Sequence, residues 1–224
     1  TMGSFYHIVG RNKRSMTLNL KHPDSLGVIE RLVGEYDIIL EQFRPGVMGR
    51  LGLSYDHLST VNQRLIYCSL TAYGQTGPLA GRAGHDINYL ALSGIMASTG
   101  RKFAGPVPPG VQVADIGSGA NNTVISILAA VIYRERNGKG QHIDVSMTDG
   151  LFPFHAVSAL KELYGEEPCS YETEPLNGGS LYDFYETADG RYLACGALEP
   201  DFFTLFCSVV GLDELAEGTV LQPG

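Results

Sequence analysis

Residues 16–40 read Met16-Thr17-Leu18-Asn19-Leu20-Lys21-His22-Pro23-Asp24-Ser25-Leu26-Gly27-Val28-Ile29-Glu30-Arg31-Leu32-Val33-Gly34-Glu35-Tyr36-Asp37-Ile38-Ile39-Leu40. Three patterns succeed one another in this stretch. Met16, Leu18 and Leu20 alternate with small or polar residues, the period of a strand. Pro23-Asp24-Ser25 opens a helix whose apolar face is Leu26, Ile29, Leu32 and Val33, and Gly34 is expected to end it. Tyr36 to Leu40 is a short buried strand. Strand, helix and strand within about 30 residues form a βαβ unit, and such a unit implies a parallel sheet. The expected fold class is therefore α/β.

The rhythm continues outward. Phe43-Arg44-Pro45-Gly46 is a turn, followed by helices through 47–51 and near 55–61. Residues 65–71 form the next strand, which runs into the loop Tyr73-Gly74-Gln75-Thr76-Gly77-Pro78. Ligands in open α/β sheets bind beyond the carboxyl ends of strands, so this loop is well placed. A helix over 123–136 stops at Asn137-Gly138. Residues 141–147 alternate, with Ile143, Val145 and Met147 on one face. Past Asp149 the pattern changes. Residues 150–180 read as a linker helix and loop. Residues 181–187 and 191–197 flank Ala188-Asp189-Gly190, a hairpin signal, and a helix covers 201–210. The expected organisation is a large α/β domain at 1–149, a linker at 150–180, and the start of a smaller α+β domain at 181–224. Both ends are expected to be truncated, because Thr1 opens no domain pattern and Leu221-Gln222-Pro223-Gly224 falls inside an expected folded region.

Composition narrows the partners. The 224 residues are 44% apolar, enough for a sizeable core. A net charge of −8 argues against nucleic acid. No uninterrupted apolar stretch approaches the roughly 18 residues of a membrane helix, so no membrane partner is expected. Cys68, Cys169, Cys195 and Cys207 show neither CxxC nor metal-site spacing and read as reduced thiols of an intracellular protein.

Two helix entries carry candidate proton-transfer groups. His85 lies in Gly84-His85-Asp86-Ile87-Asn88-Tyr89, just before an apolar run. It reads either as a backbone-satisfied entry residue or as a general base, its neutral form favoured by the helix N-terminus. Asp115 lies in Val113-Ala114-Asp115-Ile116-Gly117-Ser118-Gly119-Ala120. It reads either as a helix cap or as an acid beside small residues that leave room for an oxyanion. Asp149 is a possible carboxylate nucleophile or a turn residue before Gly150. Glu199 alone reads as a surface turn. Arg11, Lys13, Arg14, Lys21, Arg44 and Arg50 are candidates to pair with phosphates, or form an ordinary solvated face.

Several motifs occur together: Gly-Arg-Asn-Lys-Arg-Ser (10–15), Arg-Pro-Gly (44–46), Arg-Leu-Gly-Leu (50–53), Tyr-Gly-Gln-Thr-Gly-Pro (73–78), Gly-His-Asp-Ile-Asn-Tyr (84–89) and Gly-Lys-Gly-Gln (138–141). With them the chain resembles the family III CoA-transferase superfamily, and within it the racemase branch. The resemblance implies a Rossmann-like large domain that binds CoA, a smaller domain, and two chains interlocked as a homodimer. It implies inversion at C2 of a 2-methylacyl-CoA thioester, part of fatty acid metabolism, by proton transfer through an enolate. His85 and Asp115 would be the acid/base pair, and Glu199 would support His85. Leu18, Asn19, Leu20, Lys21, Arg50, Gly84, Asp86, Ile87, Asn88 and Tyr89 would bind substrate. Backbone N–H groups at the Asp115 helix entry would hold the thioester oxygen. No metal or redox cofactor is implied, since CoA is part of the substrate. The compartment would be the cytoplasm in a bacterium, or the peroxisome or mitochondrion in a eukaryote. A transferase with Asp149 as acyl-anhydride nucleophile, and an inactive CoA-binding or dimerisation fragment, are the alternatives.

Overall fold

The computed structural model describes residues 3–165 and 167–218. The expected chain end at 221–224 lies outside the described residues. The elements run α1 (Ser4–Val9), α2 (Ser25–Glu35), β1 (Ile38–Glu41), α3 (Val47–Arg50), α4 (Tyr55–Val61), β2 (Ile66–Thr71), α5 (Asp86–Leu92), α6 (Ile95–Ser98), β3 (Gly100–Arg101) and β4 (Gly105–Pro106). A π-helix (Val113–Asn121) then leads into α7 (Asn122–Asn137) and β5 (Gln141–Ser146). A 3-10 helix (Asp149–His155) is followed by α8 (Ala156–Leu163), β6 (Tyr182–Glu186), β7 (Tyr192–Gly196), α9 (Pro200–Val210) and α10 (Asp213–Gly218).

β1, β2 and β5 form a parallel sheet in the order β1-β2-β5, with β2 in the centre. All six residues of β2 are buried, as expected of a parallel strand covered on both faces. Successive side chains of β2 point to opposite faces. Tyr67 packs with Leu65, Val33, Leu53 and Leu58, the layer built by α2 and α4. Cys68 and Leu70 pack with Val145 and, across them, Ile127 of α7. A third cluster joins Tyr89 and Leu90 of α5, Met96 of α6, Ala114 of the π-helix and Leu151 of the 3-10 helix. β6 and β7 form a separate antiparallel hairpin, turned at Gly190 with φ 75°.

Three expectations are corrected. Residues 16–20 carry no strand. A strand must pair its N–H and C=O groups, and here the chain turns instead. Asn19 Oδ1 accepts from the Lys21 N–H at 3.1 Å and Asn19 O from the His22 N–H at 2.9 Å. Leu20 packs on the α2/α4 layer while Met16 faces outward. Next, α2 passes through Gly34 to Glu35. Finally, the π-helix and α7 join into one helical run, Val113–Asn137, of 25 residues, long and apolar enough to cross a membrane by length and composition. Polar residues at 118 and 121–122 break the apolar count in the sequence, but not the helix. This run is tied into the fold by polar bonds: Ser118 Oγ donates to Met147 O at 2.5 Å and Arg134 pairs with Asp37 at 2.9 Å.

Candidate active site

The carboxyl ends of the three parallel strands open into one cavity of about 770 Å³, within the range of small-molecule sites. Gln42, Phe43, Arg44 and Pro45 follow β1. Leu70, Thr71 and Ala72 end β2. Met147 follows β5. Ala80, Arg82, Ala83, Gly84 and His85 come from the segment before α5. Asn88 and Tyr89 come from α5, and Asp115 from the π-helix. His85 and Asp115 therefore line the same cavity.

His85 is the N-cap of α5, with extended backbone at φ −131° and ψ 172°. Asn88 Oδ1 accepts from the His85 N–H at 3.0 Å and satisfies one orphan donor of the helix end. The imidazole is exposed to the cavity. Gly84 is needed for packing. A Cβ there would meet Tyr89 Cε1 at 2.7 Å and Tyr73 Oη at 2.9 Å. Tyr89 and Tyr73 stand edge-to-face at 5.4 Å, and the Tyr89 hydroxyl donates to Gly84 O at 2.6 Å. The space that Gly84 leaves is thus occupied by aromatic rings. Burial and the nearby Asp115 carboxylate raise the Tyr89 hydroxyl's pKa.

Asp115 sits in the first turn of the π-helix, whose N-cap is Gln112, so it is not the cap. Its N–H donates to Asp86 Oδ1 at 2.8 Å. Asp86 thereby binds α5 to the π-helix, fixing His85 and Asp115 relative to each other. Burial, then the Asp86 carboxylate, raise the Asp115 pKa, while a charged His85 lowers it. A carboxyl so displaced keeps its proton to higher pH than an exposed aspartate. Of the backbone N–H groups at this helix entry, that of Asp115 is thus held by a carboxylate.

A smaller cavity of about 520 Å³ lies beside β3 and the β6–β7 hairpin. Its charges neutralise one another. Arg101 is bidentate to Asp183 at 2.7 and 2.6 Å and reaches Glu172 at 3.3 Å. The guanidinium and the backbone N–H of Gly179 hold the Asp183 carboxyl well below the usual carboxylate range. The larger cavity is different. Arg44 and Arg82 both line it, and among the described residues neither makes an ion pair. No three His, Cys, Asp or Glu side chains among the described residues converge as a metal site.

The family model of CoA-transferase family III matches residues 1–223. The chain belongs to CoA-transferase family III. Over 218 residues it is 40% identical to human alpha-methylacyl-CoA racemase, covering 95% of this chain and 57% of that protein. Over 214 residues it is 35% identical to the succinate–glutarate CoA-transferase of Agrobacterium fabrum, covering 96% and 53%. A crystal structure of a CaiB/BaiF family protein from Brucella suis matches with a TM-score of 0.74 at 36% identity, over 92% of this chain and 54% of that one. The chain thus spans about half the length of the relatives it matches.

The structure gathers some expected site residues of this family III chain and not others. His85, Asp115, Gly84, Asn88 and Tyr89 line the cavity. Asp86 acts behind it, through the Asp115 N–H. Ile87, on the outward face of α5, is exposed. Leu18, Asn19, Leu20 and Lys21 lie outside the lining, in the turn before α2. Arg50, at the end of α3, is exposed outside it, and the Tyr73–Pro78 loop does not line it. Glu199 is the exposed N-cap of α9 and is not brought to His85 within one chain. Asp149 starts the 3-10 helix, its N–H bonded to Ser146 Oγ at 3.1 Å, and its exposed carboxylate is not part of the lining. Arg82 and Thr71 line the cavity without having stood out in the sequence. Arg82 lies three residues before His85, a proximity that could have flagged it. Thr71 reads only as the end of a buried strand.

Proposed function

We propose that this protein inverts the C2 stereocentre of 2-methylacyl-CoA thioesters. The observation that carries the reading is one cavity lined by both an exposed imidazole and a carboxyl of raised pKa. Inversion needs a base on one face of C2 and a protonated acid on the other. His85 takes the C2 proton, and the electron pair of the broken C–H bond delocalises onto the thioester oxygen. Asp115 delivers its proton to C2 from the opposite face. The roles reverse for the other enantiomer, and no atoms are gained or lost. An acid within a water-poor site works near neutrality only if its pKa is displaced upward, the direction found for Asp115.

Arg44 and Arg82 supply positive charge for an anionic thioester in a chain of net charge −8. The identity to a racemase supports the same reading. The chain is proposed to work as a homodimer of two-domain subunits, an arrangement in which Glu199 of one copy can approach His85 of the other. The test is incorporation of deuterium at C2 of a 2-methylacyl-CoA in D₂O, with inverted product.

A second reading is CoA transfer to a free carboxylate, favoured by the identity to a succinate–glutarate CoA-transferase. The carboxylate that lines the cavity is Asp115, not Asp149. A transferase would therefore form its acyl anhydride on Asp115, and hydroxylamine trapping followed by peptide mapping would locate the acyl group there.

A further inference from the structure

Thr71 ends the central strand β2 and lines the cavity shared by His85 and Asp115. Its residue is 7% exposed, yet its Oγ1 has no hydrogen-bond partner among the described residues. A buried hydroxyl without a partner is costly, and native folds keep one where a ligand or water completes it. The backbone around it is held rigid. Thr71 O accepts from the Met147 N–H at 2.9 Å, and Ala72 O accepts from both the N–H and the hydroxyl of Thr148, at 3.0 and 2.9 Å. These bonds sew the end of β2 to the end of β5, so Thr71 holds a fixed position in the cavity wall. The nearby Asp115 N–H is already used by Asp86. The cavity wall thus carries an imidazole, a carboxyl and, buried behind its surface, a hydroxyl without a partner among the described residues.

We propose that the Thr71 hydroxyl donates a hydrogen bond to the thioester oxygen of the substrate and to the enolate oxygen formed from it. The inference rests on the proton-transfer reading above. Thr71 keeps its proton throughout. His85 breaks the C2–H bond, negative charge grows on the thioester oxygen, and the O–H bond of Thr71 strengthens its hold on that oxygen. Asp115 then protonates C2 and the charge disappears. A donor positioned before reaction stabilises the charged intermediate without reorganisation.

The experiment compares the full chain with Thr71→Val and Thr71→Ser by C2 deuterium exchange on one 2-methylacyl-CoA, and by melting temperature. Thr71→Val removes the hydroxyl at nearly constant shape. Exchange is expected to fall roughly 10²- to 10³-fold, in kcat rather than KM, the loss typical of one oxyanion donor. Because the hydroxyl has no partner among the described residues, the melting temperature should hold or rise. Thr71→Ser should recover most of the rate. Unchanged exchange in Thr71→Val, a change in KM alone, or no recovery by Ser would overturn the assignment. A lower melting temperature in Thr71→Val would put the hydroxyl's role in the fold and overturn it as well. If the unaltered protein exchanges nothing at C2, it is the racemase reading that falls, and the wild-type arm of the experiment separates that outcome from the others.

Discussion

At the residue scale, chemistry depends on the difference between His85 and Asp115. His85 is exposed, and its N–H is held by Asn88 Oδ1 at the entry of α5, so His85→Ala should cost no more than a helix cap, about 1 kcal/mol, and lower the melting temperature only slightly. Its C2 exchange should fall by roughly 10²- to 10⁴-fold, the contribution of a positioned base. Asp115 titrates above an ordinary aspartate because of burial and Asp86. Turnover that uses Asp115 as acid is complete below its pKa and declines as pH rises through it. The Asp86→Asn variant removes one cause of the upward shift, so that decline should begin at lower pH, as a pH–rate profile would reveal. A profile that stays in place would separate Asp86 from Asp115. His85 was legible in the sequence, because a Gly-His-Asp entry before an apolar run fixes an N-cap. Whether Asp115 caps a helix or serves as an acid was not legible, since the answer depends on Asp86 from another helix. Thr71 and Arg82 were hidden for the same reason: lacking a partner is a property of three-dimensional surroundings.

At the element scale, the cavity exists because three parallel strands end together and α5 and the π-helix start above them. The strands over 38–41, 66–71 and 141–146 were readable from short apolar or alternating runs, and α7 from its Gly138 stop. The expected strand at 16–20 failed because alternation gives a face but not a pairing partner. The π-helix carries no signal in the sequence that distinguishes it from an α-helix. Gly84 lets the segment before α5 lie against the rings of Tyr73 and Tyr89. Gly84→Ala would push a methyl into the Tyr73–Tyr89 pair, an overpacking expected to cost about 1–3 kcal/mol. Chemical denaturation should register that loss, and a variant as stable as the parent would show that the two rings move aside freely.

At the scale of the whole molecule, the β6–β7 hairpin is tied to β3 by the ion pair of Arg101 with Asp183, and Glu172 joins the same guanidinium. Arg101→Met should raise hydrogen exchange over residues 182–186 while leaving 66–71 protected; equal protection in both variants would show that the hairpin is held by other contacts. The family was legible from ordered motifs spread along the chain, but motifs that follow one another in sequence need not converge. Lys21, Arg50, Asp149 and Glu199 stand apart from the cavity within one chain. The central claim is that one imidazole and one carboxyl act on opposite faces of a single carbon. It is tested most directly by incubating one enantiomer of a 2-methylacyl-CoA in D₂O and following C2. The account predicts deuterium at C2 with inverted configuration, abolished in His85→Ala. Transfer of CoA to a free carboxylate with the C2 hydrogen retained would contradict it.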